Sequence, residues 1–301
     1  MDVYLNGRMI PYGEARVAHD DASIQHAVGL FETMTACHGR VFRLEAHLDR
    51  LGRSAAELGL VGGFDRDRLA GAVTQTLTHN SLDQARVRLT VTPGSVSLLR
   101  TDTDTDTAPE PTVLVVATDR VEYDPAYFEK GVTVIVGGQL ANPFDPTAGH
   151  KTVAYWSRLS LLRRAASMRA SEAIVLTISN HLAGGAVSNI FLVKDGGLMT
   201  PIARGEEKAG AVPAPVLPGI TRAAIFELAE AEAIDVKRRM LAIDDLLDAD
   251  EVFLTNCGWQ VLPVTNVEKK KIADGKVGPV TAKLRQGLLD LIDRETGKTD
   301  G

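Results

Sequence analysis

A lysine at the junction between a loop and a predicted helix is the first residue of this chain that could do covalent chemistry. Lys151 lies in the segment GHKTV at 149–153, which follows a loop rich in proline and glycine. A lysine amine whose pKa is lowered by burial can form a Schiff base with an aldehyde. Tyr155, four residues further on, would lie one helical turn away and could hydrogen-bond the adduct. Most lysines are solvated surface residues, so this pattern alone leaves a surface role open.

A second segment offers a binding site for an anion. The sequence LPGITR at 217–222 places Gly219 at a predicted helix start, with Ile220 and Thr221 in the first turn. Backbone N–H groups at a helix start, together with the positive end of the helix dipole, bind phosphate well. An ordinary helix cap is the simpler alternative interpretation of the same residues.

Three arginines and a second turn could add contacts to acidic groups. The turn at Asn256 and Cys257 can supply further backbone N–H donors, and Arg50 on a predicted helix can hold the same phosphate through two parallel hydrogen bonds. Arg86 and Arg88 alternate on a predicted strand and therefore share one face, where either could bind a substrate carboxylate. A solvent-facing role remains open for all three arginines. Together with Lys151, these segments predict one ligand that bears both an aldehyde and a phosphate.

Strands and helices that follow one another along the chain would position these residues, which predicts an α+β fold. Periodicity predicts strands at 3–10, 31–37, 86–92, 112–118, 132–136, 173–178, 189–194, 251–254 and 261–264. It predicts helices at 44–58, 66–78, 154–169, 218–233 and 280–292. Turns are expected at 38–39 and at a glycine-rich bend at 184–185.

Composition indicates where the chain divides. The segment TDTDTDTAPEP at 101–111 is polar and broken by proline, which predicts a mobile surface loop. The composition shifts there and again near 120–130. We therefore expect an N-terminal α+β domain over residues 1–120. A strand-rich C-terminal domain over 121–301 would carry Lys151.

Composition and charge also exclude several classes of function. The chain has 301 residues, of which 45% are hydrophobic and 24% are charged, as in ordinary globular proteins. A net charge of −6 gives no reason to expect a nucleic acid partner. Cys37 and Cys257 fit neither a disulfide framework nor a metal site, which indicates a cytoplasmic protein. The N-terminus lacks the pattern of a signal peptide, and no run approaches the roughly 20 apolar residues that span a bilayer, so no membrane is expected as a partner.

The order of these motifs resembles the class IV aminotransferases of fold type IV. That family includes branched-chain and D-amino acid aminotransferases and aminodeoxychorismate lyases. The similarity extends over nearly the whole chain. It is carried by YLNG at 4–7, GLFET at 29–33, FRLEAHLDRL at 42–51, GHKT at 149–152, VSNIFLV at 187–193 and LPGITR at 217–222. It implies two α/β domains with pyridoxal 5′-phosphate between them, amino acid and keto acid substrates, and a homodimer.

The resemblance also implies a role for each candidate residue. Lys151 would hold the cofactor as a Schiff base, Tyr155 would hydrogen-bond its phenolic oxygen, and Leu217 would pack on its pyridine ring. Phosphate ligands are implied at Arg50, Gly219, Ile220, Thr221, Asn256 and Cys257. Phe31, Arg86 and Arg88 would face the substrate. No metal site is expected.

Three positions depart from the family pattern. The family usually has Glu-Gly before the Ser-Asn strand, and that glutamate contacts the pyridine nitrogen of the cofactor, whereas this chain has Gly184 and Gly185. A carboxylate there keeps the nitrogen protonated and makes the ring a better electron sink. Position 154, often asparagine, is Ala154, and the usual threonine of the second phosphate turn is Cys257.

We therefore expect an aminotransferase whose carbanion-forming step is weakened by the glycine at position 184. Two alternatives stay open. One is carbon–carbon lysis of an aminodeoxychorismate-like substrate, which residues 29–33 and 255–257 favour. The other is a protein that binds the cofactor with weak catalysis or none.

Overall fold

The computed structural model describes residues 1–60, 64–95 and 110–297, and the chain forms two compact units. Unit 1 comprises Met1–Val121, His150–Ala154 and Ile292–Gly301, and unit 2 comprises Glu122–Gly149 and Tyr155–Leu291. The main division lies one residue from the predicted boundary. Residues 101–109 of the predicted mobile loop lie outside the described residues.

The division differs from the predicted one in the position of Lys151, which belongs to unit 1 and not to a C-terminal domain. The reason is a pair of backbone hydrogen bonds. The amide of Phe31 donates to the carbonyl of Lys151 at 2.9 Å, and the amide of Val153 donates to the carbonyl of Gly29 at 3.0 Å. The short segment around Lys151 is thereby added to a strand of unit 1.

Unit 1 is built on a six-stranded antiparallel sheet with the strand order β2-β1-β6-β5-β3-β4. The strands are β1 Asp2–Leu5, β2 Arg8–Pro11, β3 Leu30–Cys37, β4 Arg40–Val41, β5 Ala85–Thr92 and β6 Thr112–Asp119. The helices are α1 Ala22–His26, α2 Leu44–Glu57 and α3 Arg66–His79. Alternate residues of β5 enter a core that also contains leucines of α2 and α3, while Arg86 and Arg88 lie on the other face of the strand.

The strand character predicted over residues 3–10 is divided between two strands, since β1 and β2 form a hairpin there. Asn6 and Gly7 between them have φ values of 48° and 90°. Asn-Gly is the preferred pair for the two-residue turn that matches the twist of a hairpin, since both positions need positive φ. The predicted turn at 38–39 is confirmed between β3 and β4, where His38 and Gly39 also have positive φ.

Unit 2 is built on a nine-stranded mixed sheet. Eight strands follow the order β12-β11-β10-β13-β14-β7-β8-β9, and β15 pairs with β14. The strands are β7 Val132–Ala141, β8 Glu172–Thr177, β9 Leu182–Gly185, β10 Asn189–Lys194, β11 Gly197–Thr200, β12 Val236–Arg238, β13 Glu251–Asn256, β14 Gln260–Val267 and β15 Lys270–Lys271. The predicted bend at Gly184 and Gly185 is wrong, because both residues pair with β8 as part of β9.

Helices of unit 2 precede or follow the strands that carry the candidate residues. They are α4 Ala126–Glu129, α5 Trp156–Ser167, α6 Ile220–Ala231, α7 Ile243–Leu247 and α8 Pro279–Thr296, whose last residues belong to unit 1. Across the described ranges, no helix is both long enough and apolar enough to cross a membrane.

Candidate active site

Lys151 is held by the start of β3. Its carbonyl accepts the hydrogen bond from Phe31, and Thr152 pairs with Leu30 as an isolated bridge. The side chain is half-buried, and its Nζ lies 4.3 Å from the centroid of the Phe31 ring. The amine therefore rests against an aromatic ring and is partly shielded from bulk water, as a covalent role requires.

Two arginines of β5 lie on the same face of unit 1 as Phe31. The Cζ of Arg88 is 3.7 Å from the centroid of the Phe31 ring, which Lys151 also contacts. The amine and the guanidinium can therefore be no farther apart than the sum of their two distances to that ring. Arg86 is half-buried on the same face. Unit 1 thus brings Lys151, Phe31 and Arg88 together.

Arg50 is not a solvated helix arginine, because it is only 4% exposed and is paired with a buried carboxylate. Its Nε and Nη2 donate to Oε1 and Oε2 of Glu32 at 2.9 and 2.5 Å. His47, one helical turn before Arg50, lies with its Nδ1 2.8 Å from Oε2 of the same carboxylate. Burial opposes the charge on Glu32, but Arg50 and His47 outweigh it and lower the pKa of this carboxyl to about 2.

Sequence reasoning missed Glu32. The alternation of β3 provides a signal, since Leu30, Glu32 and Met34 point to the side that packs against α2. A charged residue at a core-facing strand position requires a buried partner, and Arg50 of α2 is that partner.

In unit 2, the helix start predicted to bind phosphate is present. Gly219 is the N-cap of α6, Ile220 and Thr221 are buried in the first turn, and no side chain caps the helix. A Cβ on residue 219 would lie 2.1 Å from Oδ1 of Asn189, so only glycine fits here. Nδ2 of Asn189 also donates to the carbonyl of Leu217 at 2.8 Å, which fixes the chain as it enters the helix.

The turn after β13 meets the same helix start. The hydroxyl of Thr221 donates to Sγ of Cys257 at 3.7 Å. The side chain of Asn256 forms hydrogen bonds within this turn. Its Oδ1 accepts the amides of Gly258 and Trp259 at 2.9 and 3.1 Å. As in other Asx turns, the side chain satisfies the turn's own amides, so these two amides are already hydrogen-bonded within the turn.

Tyr155 does not lie one helical turn beyond Lys151, as the spacing predicted. It is the N-cap of α5, so residues 151–154 are not helical, and it belongs to unit 2. The reason is again the pairing of residue 152 with β3, which holds this segment extended. Leu217 is half-buried at the entry to α6.

Gly184 lies in β9, just before the turn at 186–188. Its φ is +127°, and a Cβ there would lie 2.7 Å from the carbonyl oxygen of Ser188. The buried carboxylate of Glu172 accepts the amides of Ala186 and Val187 and the hydroxyl of Ser188, each at 3.2 Å. Burial raises the pKa of Glu172, and the hydrogen bonds partly offset this. The hydrogen bonds of this carboxylate therefore stabilise the turn at 186–188.

Comparison with known proteins identifies the family. Residues 29–267 match the family model for amino-transferase class IV. The chain belongs to the class IV aminotransferase family. Enzymes of this family depend on pyridoxal phosphate, so the predicted family, enzyme class and cofactor are confirmed at the level of the family.

Relatives of this class IV chain extend over its full length. It is 31% identical to a putative branched-chain-amino-acid aminotransferase of Methanocaldococcus jannaschii, covering 97% of this chain and 96% of that protein. It is 29% identical to a D-alanine aminotransferase of Listeria monocytogenes, covering 100% and 99%. The crystal structure of the Escherichia coli branched-chain amino acid aminotransferase matches with a TM-score of 0.85 at 26% identity, covering 100% and 97%. The predicted α+β fold of type IV is thereby confirmed.

Proposed function

We propose that this chain is a pyridoxal-phosphate-dependent aminotransferase that moves an amino group between an amino acid and a keto acid, with Lys151 as the residue that binds the cofactor covalently. The observation that carries this proposal is the amine of Lys151, half-buried on the ring of Phe31 in a segment fixed by backbone hydrogen bonds to β3. An amine placed in this way can act as a nucleophile toward an aldehyde.

Each unit holds residues whose chemistry suits a group of this cofactor. Unit 1 supplies the amine for the aldehyde and the guanidinium of Arg50 for the phosphate. Unit 2 supplies the first turn of α6 for the phosphate, with Gly219, Ile220, Thr221 and Cys257. The close approach of Asn189 to Gly219 keeps this helix start free of a side chain, which suits the binding of an anion by backbone N–H groups. Tyr155, Leu217 and Asn256 are retained from the resemblance as ligands of the same group.

The chemistry then divides between the cofactor and the chain. When bound, pyridoxal phosphate supplies the electron sink that makes the α-hydrogen of an amino acid acidic. Once the amino group of the substrate has displaced it, Nζ of Lys151 would take the proton from the substrate α-carbon as a general base and deliver it to C4′ of the cofactor as a general acid. The ring of Phe31 beside this amine limits the access of water.

Arg88 is the stronger candidate for the substrate carboxylate. It lies on the same ring as the amine of Lys151, so a carboxylate bonded to the reacting α-carbon is within its reach. A guanidinium can bind that carboxylate through two parallel hydrogen bonds. Arg86, two residues earlier on the same strand face, would bind a second polar group of a longer substrate.

The lack of a carboxylate at position 184 is expected to slow the step in which the α-proton is lost. Glu172 does not replace it in this proposal, because its oxygens accept the amides of Ala186 and Val187 in the turn after β9. Lysis and weak catalysis are therefore outcomes that the experiments below distinguish from transamination.

The resemblance to class IV enzymes further supports a homodimer, which sedimentation of the purified protein would test directly. A single species with the mass of one chain would contradict it. Cys37 and Cys257 are not joined in a disulfide. The cytoplasmic location stays a prediction.

The decisive experiment is to map the covalent attachment. Borohydride reduction of the protein with bound pyridoxal phosphate should place the cofactor mass on the peptide that contains Lys151. Lys151→Ala should lose the visible absorbance band of the bound cofactor, whereas Lys269→Ala at an exposed turn should retain it. A band that survives in Lys151→Ala, or a label on another lysine, would refute the proposal.

A second measurement identifies the reaction. The purified protein is incubated with L- and D-amino acids, with and without an added keto acid. Exchange of amino groups that requires the keto acid supports transamination. Release of pyruvate from an aminodeoxychorismate-like substrate without a keto acid would indicate lysis. A spectrum that no amino acid changes would indicate a protein that only binds the cofactor.

A further inference from the structure

Glu32 makes more contacts than a simple structural ion pair requires. Both of its oxygens contact the guanidinium of Arg50, one through Nε and the other through Nη2. His47 adds a third contact from the same helix face, to the oxygen that Nη2 also uses. All three side chains are buried, with exposed fractions of 1% for Glu32, 1% for His47 and 4% for Arg50.

A two-point contact fixes the orientation of the guanidinium as well as its position. The group is planar and carries five N–H donors in a rigid arrangement. Two parallel hydrogen bonds along one edge set both the plane of the group and the direction of its remaining N–H vectors. A single contact, or a contact to water, would leave rotation about the side-chain torsions available and would make binding of an anion costlier in entropy.

The carboxylate that imposes this orientation stays ionised at every pH at which the protein is expected to work. The pKa of Glu32 is lowered to about 2, because Arg50 and His47 outweigh the effect of burial. The pair of Glu32 and Arg50 is therefore close to neutral before any phosphate binds. The pair can therefore favour the binding of phosphate by orienting the N–H groups of Arg50, and not by adding net positive charge.

We propose that Glu32, supported by His47, is a positioning residue that orients the guanidinium of Arg50 for the phosphate of the cofactor without touching the cofactor itself. This inference rests on the phosphate role of Arg50 in the proposed function. It assigns to β3 a second task beside the contact of Phe31 with Lys151, since Phe31 and Glu32 are neighbours that point to opposite faces of the same strand.

The test compares a phosphorylated with an unphosphorylated ligand. Apoprotein is titrated with pyridoxal phosphate and with pyridoxal, and the ratio of the two dissociation constants measures the selectivity for phosphate. Glu32→Gln should weaken the binding of pyridoxal phosphate by about tenfold or more, the loss expected for a misaligned hydrogen bond to a charged group. The affinity for pyridoxal should stay within about twofold, because the amine of Lys151 is not changed. Loss of structure alone would lower both affinities together.

Controls separate this inference from the assignment on which it rests. Arg50→Gln should abolish most of the selectivity for phosphate. If Arg50→Gln retains it, the phosphate role of Arg50 in the proposed function is wrong. If Arg50→Gln loses the selectivity for phosphate and Glu32→Gln retains it, only the positioning role of Glu32 is overturned. Asp245→Asn removes another carboxylate that holds a guanidinium at two points, that of Arg239, and should leave the ratio unchanged.

A second variant keeps the test open if Glu32→Gln does not fold. His47→Asn leaves both contacts between Glu32 and Arg50 in place and removes only the ring that supports the carboxylate. A smaller loss of the same ratio, of about twofold to fivefold, supports the positioning role. An unchanged ratio in a folded His47→Asn protein overturns it.

Discussion

Replacing Gly184 by alanine should destabilise unit 2 more than the same replacement at a comparable glycine. Gly184 has φ +127°, which L residues rarely adopt, and a Cβ there would lie 2.7 Å from the carbonyl oxygen of Ser188. Gly196, in the turn between β10 and β11, has φ +77° and no atom within 4 Å of an added Cβ. Both variants therefore carry a backbone penalty, which is larger at 184, and only Gly184→Ala adds a steric overlap.

The magnitude follows from these two terms. An alanine in the left-handed region costs about 1 to 2 kcal/mol, which is the expected loss for Gly196→Ala. At residue 184 the backbone penalty reaches about 3 kcal/mol, and relief of the overlap must move the Ser188 carbonyl, whose turn is held by Glu172. Overpacking of this kind typically costs a further ~1 to 3 kcal/mol. We expect Gly184→Ala to lower the free energy of unfolding by at least about 2 kcal/mol more than Gly196→Ala does.

Urea denaturation followed by circular dichroism measures both losses. The cofactor concentration must be the same throughout, because a ligand that binds only the folded state raises the apparent stability. If Gly184→Ala lowers the free energy of unfolding no more than Gly196→Ala does, the turn after β9 relaxes at little cost. The backbone at position 184 would then not require glycine.

Three further predictions concern acid, the phosphate site and the substrate. The pKa of Glu32 falls from its ordinary value of 4.5 to about 2 on folding, so its contribution of about 3 kcal/mol is present above pH 4.5 and lost as the pH falls toward 2. Urea titrations should show the stability difference between the wild type and Glu32→Gln narrowing through that window, and a constant difference would contradict it. Gly219→Ala should displace the side-chain amide of Asn189 and raise the dissociation constant of pyridoxal phosphate about tenfold. Gly71→Ala should leave this constant unchanged, because an added Cβ at 71 has no atom within 4 Å. Arg88→Gln should raise the KM of the amino acid by about 10- to 100-fold with a smaller change in kcat, and an unchanged KM would exclude Arg88 as the carboxylate ligand.

Local patterns in the sequence were sufficient for elements whose own residues decide them. The predicted strand at 189–194 has the same bounds as β10, and the predicted helix at 44–58 differs from α2 by one residue. The helix start at Gly219 was predicted for the same reason, since a glycine before the first turn is a local signal.

Features that depend on distant parts of the chain were not predictable in the same way. The segment at 151–154 has helical spacing, but pairing with β3 holds it extended, so Tyr155 begins the helix instead of continuing it. Glu32 becomes a partner of Arg50 only because the register of the sheet turns it toward α2. Position 184 could be identified as lacking a carboxylate, but not as a place where the backbone excludes a side chain.

That last observation changes how a glutamate at 184 should be tested. Gly184→Glu adds a carboxylate and, at the same time, forces the Ser188 carbonyl away from a Cβ. A loss of activity in Gly184→Glu alone would therefore say nothing about the charge. Gly184→Ala carries the same backbone change without the acid, so it is the proper reference. If the carboxylate promotes loss of the α-proton, Gly184→Glu should be faster than Gly184→Ala at equal occupancy by the cofactor, even where both are slower than the wild type. Equal rates would mean that the acid at this position has no effect on proton removal, and that Gly184 is retained for the turn that Glu172 organises.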